Sequence, residues 1–256
     1  MLGICEEFKI VEVGNVVYCD NLSWRERVFK DRFNGGKVLA KFLTNTIPNI
    51  LKDKTAIFAL VAGGVPVTYA LSKTLKKQFD ILVVKKITYP WTTEAGFGAV
   101  ASDGTYVYDK FVARNYLGYS EEDVNHLAKE VKEYVVNRTL KLRGSLEYPD
   151  LKDYVVVIVD DGIATGYTMV VATRFLRKKN ASKIIVASPT ASNTGLRLVS
   201  KEADKVVVVN VRSSPYAVAD AYLEWHDVSD EEVLEILVEA EKDNLYPPPW
   251  RAHRNI

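Results

Sequence analysis

Short, nearly continuous hydrophobic runs rich in β-branched residues recur along the chain, and stretches with apolar residues at helical spacing lie between them. Such runs are typical of strands buried on both faces, and their alternation with amphipathic helices indicates βαβ units. The runs from position 55 onward are TAIFALV (55–61), DILVVKK (80–86), YVVVIVD (154–160), KIIVASP (183–189) and DKVVVVNV (204–211). The pattern predicts an α/β fold with an open, mostly parallel sheet and helices on both faces.

The two ends of the chain fall outside this alternation, and we interpret them as extensions of one domain that spans residues 1–256. The first extension, residues 1–54, contains a Val-Gly-Asn turn that predicts a hairpin, followed by a helix over about 37–47 entered after two glycines. The second, residues 212–256, contains a capped amphipathic helix and a proline-rich tail that we expect to be extended.

A longer departure separates the second and third core strands. Residues 87–153 contain a hairpin predicted to turn at Asp103 and Gly104, followed by a charged helix over about 120–142. Ser120 is suited to cap this helix, because a hydroxyl accepts hydrogen bonds from free backbone N–H groups. The insertion is therefore expected to be ordered rather than a linker.

Charge is balanced, with 34 Lys and Arg residues against 33 Asp and Glu residues, which gives a formal net charge of +1. This balance argues against a nucleic-acid or anionic-membrane binder, which usually shows a basic excess. The cysteines, Cys5 and Cys19, lack zinc-site spacing, and we expect reduced thiols, with a disulfide across a hairpin as the alternative. Because the N-terminus resembles no signal peptide and every apolar run is far shorter than about 20 residues, we expect a cytoplasmic protein.

The strand at 154–160 ends in two acids, Asp160 and Asp161, and a short loop over 162–166 leads from them into an amphipathic helix near Tyr167. Ligands of open α/β folds bind at the carboxyl ends of strands, and a helix N-terminus offers unpaired N–H groups to a phosphate. Two carboxylates would repel a neighbouring phosphate unless they face another group. A sugar diol, which donates hydrogen bonds, or a divalent cation is suited to this position. The pattern therefore indicates a phosphorylated ribose; the alternative is a turn that these residues only stabilise.

Two further features follow the first two core strands. The run Ala62-Gly63-Gly64-Val65-Pro66 opens a helix, and its small residues would let backbone amides approach an anion closely. An ordinary strand-to-helix turn is the alternative for this run. Lys85 and Lys86 end the second strand, where a lysine either neutralises phosphate charge or remains solvated.

The stretch VIVDDGIATGYTM, from Val157 to Met169, resembles along its whole length the ribosyl-phosphate motif of the type I phosphoribosyltransferases. This resemblance implies that the site holds 5-phosphoribosyl 1-diphosphate (PRPP), with two acids on the ribose 2- and 3-hydroxyls and Mg²⁺ held indirectly by the same acids, Asp160 and Asp161. It further implies that the ribose 5-phosphate part is bound by Asp160, Asp161, Gly162, Ala164, Thr165, Gly166, Tyr167 and Thr168. Ala164 departs from the purine-salvage members, which often carry an Asp near the base, so a candidate general base is missing and 6-oxopurine salvage is disfavoured.

The resemblance also covers the first loop. It places the pyrophosphate-binding loop at Ala62, Gly63 and Gly64, and it matches Lys86 to a lysine of similar proteins, so that Lys86 is expected to bind pyrophosphate. Similar proteins carry Pro-Arg ahead of the two glycines, whereas this chain has Val61 and Ala62 and therefore lacks that guanidinium.

The resemblance covers most of residues 55–240 and implies that residues 87–153 form a flexible hood and a helical insertion, with the hairpin closing as a lid that excludes water. The chain is expected to be a phosphoribosyltransferase of nucleotide metabolism that transfers 5-phosphoribosyl from PRPP to an unidentified small-molecule acceptor, a nucleobase being one candidate, and releases pyrophosphate. Its expected catalytic residues are Lys86, Asp160 and Asp161. A homodimer is expected because dimers are common among similar proteins, with no nucleic-acid or membrane partner. The alternatives are a non-catalytic regulatory protein that binds PRPP or a nucleotide, and a phosphohydrolase.

Aromatic residues and histidines stand outside these motifs. Tyr216, Tyr222 and Trp225 are expected in the core, with a role in the acceptor pocket or a subunit contact as the alternative. Trp91, in the loop of the expected hood, is a candidate to stack on a ligand or partner. No hydrolase motif accompanies the histidines, which are expected at the surface: His126, His226 and His253.

Overall fold

The computed structural model describes residues 7–51, 54–92 and 95–252, apart from the side chains of Leu51 and Ala252. Its strands are β1 (Ile10–Val13), β2 (Val16–Cys19), β3 (Thr55–Val61), β4 (Phe79–Thr88), β5 (Gly96–Ala101), β6 (Tyr106–Tyr108), β7 (Val155–Val159), β8 (Lys183–Ser192) and β9 (Lys205–Arg212). Its α-helices are α1 (Arg32–Thr46), α2 (Gly64–Leu75), α3 (Lys110–Asn115), α4 (Glu121–Arg143), α5 (Tyr167–Arg177), α6 (Asn193–Val199) and α7 (Asp230–Lys242). Short 3₁₀ segments lie at Asp20–Leu22, Pro48–Leu51, Val218–Ala221 and Pro249–Ala252.

One sheet runs through the molecule in the strand order β1-β2-β9-β8-β7-β3-β4-β5-β6. The strands from β2 to β4 in this order are parallel, and antiparallel strands close both edges. The central strand β3 is buried throughout because its side chains alternate between two cores. One core contains residues of α1, α2 and α7, and the other contains residues of α5. The predicted open, mostly parallel sheet with helices on both faces is confirmed.

Helix α1 begins earlier than predicted, at Arg32 instead of Lys37. Asp31 caps it by accepting a hydrogen bond of 2.7 Å from the backbone N–H of Asn34. The two glycines lie inside the helix, where a Cβ on Gly36 would be 2.1 Å from the carbonyl oxygen of Val67. Gly36 therefore allows α1 to approach α2 closely, and the prediction that the two glycines precede the helix was wrong.

The segment between β4 and β7 has the predicted hairpin and charged helix. Gly104 makes the β5–β6 turn with a φ of +86°, a conformation that favours glycine. Ser120 and Asp123 form a reciprocal cap at the start of α4, with hydrogen bonds of 3.1 Å and 2.8 Å. The short helix α3 was not predicted. The hood assignment and the domain boundaries stay predictions.

The C-terminal tail departs from the extended conformation that we expected. It forms a short 3₁₀ segment in which the side chain of Trp250 is 8% exposed. Trp250 packs against the rings of Phe58 and Tyr154, with centroid distances of 5.3 Å and 6.1 Å. Burial of this large aromatic side chain outweighs the local preference of the prolines for extended backbone.

Cys19 is buried and carries a free thiol, whereas Cys5 and His253 lie outside the described residues. His126 and His226 are exposed, as expected. Within the described part of the chain, no helix combines the length and the hydropathy that a membrane span requires.

A buried ion pair joins the start of β4 to the end of α4. Asp80 and Arg143 have fully buried side chains, and an Nη atom of Arg143 lies 2.7 Å from the Asp80 carboxylate. The guanidinium also donates to the carbonyl oxygens of Ser145 and Glu147, and it stacks 3.9 Å from the ring centroid of Tyr148. These contacts offset the cost of taking both charges out of water.

We expect Arg143→Met to lower the free energy of unfolding by about 3 kcal/mol, because Asp80 would lose its closest buried partner and keep only Arg251, whose Nη1 lies 3.7 Å from its carboxylate. Chemical denaturation followed by circular dichroism measures this loss. The control is Arg174→Met, which removes a pair with Glu202 that is 47% and 27% exposed and should cost at most about 1 kcal/mol. Equal losses in the two variants would contradict the prediction.

Candidate functional site

The loops that follow β3 and β7 touch at the carboxyl edge of the sheet. These strands are parallel neighbours, so their ends lie side by side. A Cβ on Gly63 would lie 2.0 Å from Oδ2 of Asp161, and a Cβ on Gly64 would lie 2.7 Å from the carbonyl oxygen of Val159. Any side chain at either glycine would therefore push the loops apart. The structure thus brings together the two motifs that the sequence placed nearly 100 residues apart.

Asp160 occupies an electrostatically unfavourable position. Burial raises the pKa of its carboxyl group well above the usual range, and the neighbouring charge of Asp161 raises it further. The backbone N–H of Asp161 donates to Oδ1 of Asp160 over 2.9 Å, and the charges of Lys86 and Arg32 partly oppose the rise in pKa. A carboxyl group in this setting favours a ligand that donates hydrogen bonds or carries positive charge.

Asp161 is held by side chains from distant parts of the chain. Nε of Arg32 donates to Oδ2 of Asp161 over 2.8 Å, and the two side chains are only 7% and 13% exposed. The hydroxyl of Tyr222 donates to the carbonyl oxygen of Asp161 over 2.6 Å, and burial raises the pKa of Tyr222. Arg32 in turn donates to the carbonyl oxygen of His226 over 2.7 Å and stacks 3.8 Å from the ring centroid of Trp225.

Arg32 was not among the residues predicted for the site. The predicted helix began five residues after it, and its partner Asp161 lies 129 positions away. A usable signal was Asp31, a residue type that often caps helices and so marks the start of α1. Tyr222 is buried in the core, as expected, and also contacts the site through its hydroxyl.

The loop over 162–166 is fixed by neighbouring backbone and leads directly into α5. The N–H of Ile163 donates to Thr190 over 3.0 Å, and the N–H of Ser192 donates back to Ile163 over 2.8 Å. Gly166 precedes α5 with a φ of +90° and makes no side-chain cap. The first N–H groups of α5 are therefore suited to an anion, with the exposed Thr165 beside them.

The remaining loop residues differ in their surroundings. Gly162 packs against Val218, whose Cγ1 would be 2.3 Å from a Cβ at this position. The carbonyl oxygen of Ala164 accepts a hydrogen bond from the hydroxyl of Ser192. Thr168 is half-buried in the first turn of α5.

A cavity of about 370 Å³ flanks this loop and separates it from the segment around β5. The hydroxyl of Tyr167 donates across it to Oδ2 of Asp109 over 3.1 Å, and burial raises the pKa of Tyr167 to about 12. The cavity is lined by Tyr89, Gly96, Phe97, Asp109, Thr165, Tyr167, Thr194, Arg197, Leu198 and Lys201. The segment expected to form the hood and the loop over 162–166 are thus neighbours.

The two lysines at the end of β4 have different surroundings. Nζ of Lys85 lies 4.5 Å from the ring centroid of Tyr134, on helix α4. Lys86 is exposed, and its charge acts on the carboxyl group of Asp160. Trp91, nearby in the chain, is 72% exposed and stacks on Tyr89 with a centroid distance of 5.3 Å.

The described residues contain no group of three or more His, Cys, Asp or Glu side chains arranged to hold a metal ion. Asp160 and Asp161 are two adjacent acids, and one oxygen of Asp161 is already bound by Arg32. This donor set fits Mg²⁺ that is held mainly by the phosphates of a ligand, since Mg²⁺ commonly uses only one or two protein carboxylates.

Residues 30–224 match the family described as the phosphoribosyl transferase domain. A protein of Mycobacterium tuberculosis (strain H37Rv) named "Putative phosphoribosyl transferase Rv0571c" is 31% identical over 220 residues, which are 85% of this chain and 48% of that protein. The chain spans about half the length of the curated relatives that it matches in this organism. Ribose-phosphate pyrophosphokinase of Pyrococcus furiosus is 40% identical over 68 residues, which are 26% of this chain and 24% of that enzyme.

Among solved structures, TT1426 of Thermus thermophilus is similar with a TM-score of 0.65 and 29% identity, covering 82% of this chain and 98% of that protein. The match to the family extends over most of the chain and includes both loops and Lys86. The chain therefore belongs to the type I phosphoribosyltransferase family.

Proposed function

We propose that the chain transfers 5-phosphoribosyl from PRPP to a small-molecule acceptor, a nucleobase nitrogen being one candidate, and releases pyrophosphate. The observation that carries this proposal is the contact between the acids that follow β7 and the glycine-bearing loop that follows β3. Asp161 lies against Gly63, and Asp160 lies against Gly64. This arrangement offers hydrogen-bond acceptors for a diol between two loops that can bind phosphates.

In the proposed complex, each residue acts on one part of PRPP. The N–H groups at the start of α5 bind the 5-phosphate, together with Thr165 and Thr168. Asp160 and Asp161 accept hydrogen bonds from the ribose hydroxyls. The amides of the loop over 62–64 and the charge of Lys86 receive the diphosphate.

The chemistry is mainly electrostatic stabilisation. The bond between the anomeric carbon and the diphosphate oxygen breaks, and its electron pair leaves with pyrophosphate. The acceptor supplies the electron pair of the new bond, and an acceptor that is not already anionic also loses a proton. The two carboxylates stabilise the positive charge that develops on the sugar, while Lys86 and the loop amides stabilise the leaving group.

Mg²⁺ fits this site as a partner of the ligand. Asp160 and Asp161 would hold it indirectly, and it would neutralise negative charge on the diphosphate.

The proposal also bears on the acceptor. Ala164 offers no side-chain base where purine-salvage members often have a carboxylate, and its carbonyl oxygen is already bound by Ser192. We therefore propose an acceptor that is anionic at neutral pH or gives its proton to water. A homodimer, a cytoplasmic location and a role in nucleotide metabolism complete the proposal.

Incubation with PRPP, Mg²⁺ and a panel of nucleobases and other nitrogen nucleophiles tests this function. We expect pyrophosphate release that depends on one acceptor, with the ribosylated product seen by mass spectrometry. Release of phosphate or pyrophosphate without any acceptor would indicate a phosphohydrolase. Tight PRPP binding with no turnover across the panel would favour the regulatory alternative, which the lack of an arginine before Gly63 makes worth testing.

Replacing both acids, in Asp160→Asn with Asp161→Asn, should abolish PRPP binding, because neither amide can offer the ribose hydroxyls a charged acceptor. Isothermal titration calorimetry with Mg²⁺ present measures the affinity. The control is Asp243→Asn, whose carboxylate pairs with Lys73 at the surface and should leave binding unchanged. Retained affinity in the double variant would refute the site.

Lys86→Met should lower the rate of pyrophosphate release by about tenfold to a hundredfold, because the leaving group would lose a charge-stabilising partner. The matched control is Lys85→Met, since Lys85 lies on the same strand but faces Tyr134. Steady-state kinetics on both variants compares them. A larger loss of rate in the Lys85 variant would contradict the assignment of this role to Lys86.

A further inference from the structure

Arg32 joins segments from three distant parts of the chain at the edge of the site. It belongs to the first turn of α1, and it contacts Asp161 after β7 and the backbone and ring of the segment before α7. Its side chain is 7% exposed, although it carries a full charge. A buried guanidinium needs a partner that offsets its desolvation, and here that partner is a carboxylate of the proposed ribose site.

The Asp161 carboxylate is fixed on two sides. Arg32 binds Oδ2 over 2.8 Å, and the Cα of Gly63 lies so close that a Cβ there would be 2.0 Å from the same oxygen. Among the described residues, no hydrogen bond reaches Oδ1 of Asp161. Within the parts of the chain that the structure describes, the protein therefore holds one oxygen of this carboxylate, and the other is able to accept a hydrogen bond from a ligand.

Arg32 is itself held in place from two directions. The ring of Trp225 covers one face of its guanidinium at 3.8 Å, and the carbonyl oxygen of His226 accepts from an Nη atom at 2.7 Å. Close packing sets the start of α1, since a Cβ on Gly35 would lie 3.2 Å from both Pro189 and Tyr222. A guanidinium with a stacked face and two directed hydrogen bonds has little freedom to turn.

We propose that Arg32 is a positioning residue of the ribose site, which holds the Asp161 carboxylate so that its second oxygen accepts a hydrogen bond from one ribose hydroxyl. This inference rests on the proposed function, because it assumes that the acids bind a ribose diol. Arg32 does not touch the sugar in this arrangement. It makes the site select ribose over a sugar that lacks the hydroxyl in question.

The test compares the binding of ribose 5-phosphate with that of its 2-deoxy and 3-deoxy analogues, measured by calorimetry. The intact protein should prefer ribose 5-phosphate, and Asp161→Asn should lose the preference over one analogue. Arg32→Met should lose the preference over that same analogue by about tenfold, the size expected for one charge-assisted hydrogen bond. Combining Arg32→Met with Asp161→Asn should cost no more preference than Asp161→Asn alone, because the two residues act on the same hydroxyl.

Further variants separate positioning from a role in stability alone. Arg32→Lys keeps the charge but not the planar fork, so it should fold and recover only part of the preference. This variant also keeps the test decisive if Arg32→Met does not fold. The control is Arg138→Met, which removes an arginine bound to Asp230 over 2.7 Å with side chains 17% and 21% exposed. It should change the melting temperature without changing the preference.

Each outcome bears on one of the two proposals. If Arg32→Met or Arg32→Lys weakens all three sugars equally, or changes only the melting temperature, Arg32 is purely structural and the inference is overturned. If the intact protein binds no ribose 5-phosphate, or if replacing both Asp160 and Asp161 leaves its binding unchanged, the proposed function itself fails. Loss of preference in Asp161→Asn but not in either Arg32 variant would overturn the inference alone.

Discussion

The close contact between the loops after β3 and β7 is the constraint on which the site depends. It requires two parallel strands in the middle of the sheet and the absence of side chains at Gly63 and Gly64. Parallel pairing alone would place the strand ends side by side, but ordinary side chains would keep the loops apart. Glycine loses more conformational entropy on folding than other residues. In return, the missing side chains let two loop backbones and a carboxylate pack into one small volume.

The same contact concentrates negative charge where the protein can least solvate it. Two adjacent acids lie at the edge of the core, and burial makes ionisation of Asp160 unfavourable. Arg32 and the backbone N–H groups reduce this cost without removing it. The protein thus keeps an electrostatically strained pair that a purely structural turn would not need, and strain of this kind is common where a ligand completes the charge balance.

Much of the fold follows from local patterns in the sequence. The run TAIFALV gives β3 with its predicted ends, because a strand buried on both faces leaves no polar position to blur them. The conformation of the proline-rich tail and the place of the two glycines inside α1 were not predicted in this way. Gly36 in α1 serves a contact with α2, and Gly35 packs against Pro189 and Tyr222. Trp250 draws the proline-rich tail onto Phe58, so all these contacts depend on partners distant in sequence.

In the candidate site, too, the features set by local sequence were predictable and those set by contacts distant in sequence were not. Its loops and acids lie in contiguous motifs, so their residue types and spacing indicated phosphate and sugar binding. Lys86 could be distinguished from Lys85 by the resemblance, and the structure adds that Lys85 faces Tyr134.

The contacts of Arg32 span 129 positions to Asp161 and 194 positions to His226. Contacts of such high sequence separation form only after large loops have closed, so the acid pair reaches its final geometry when the first helix, the central strands and the last third of the chain are all in place. Completion of the site is thereby tied to completion of the fold.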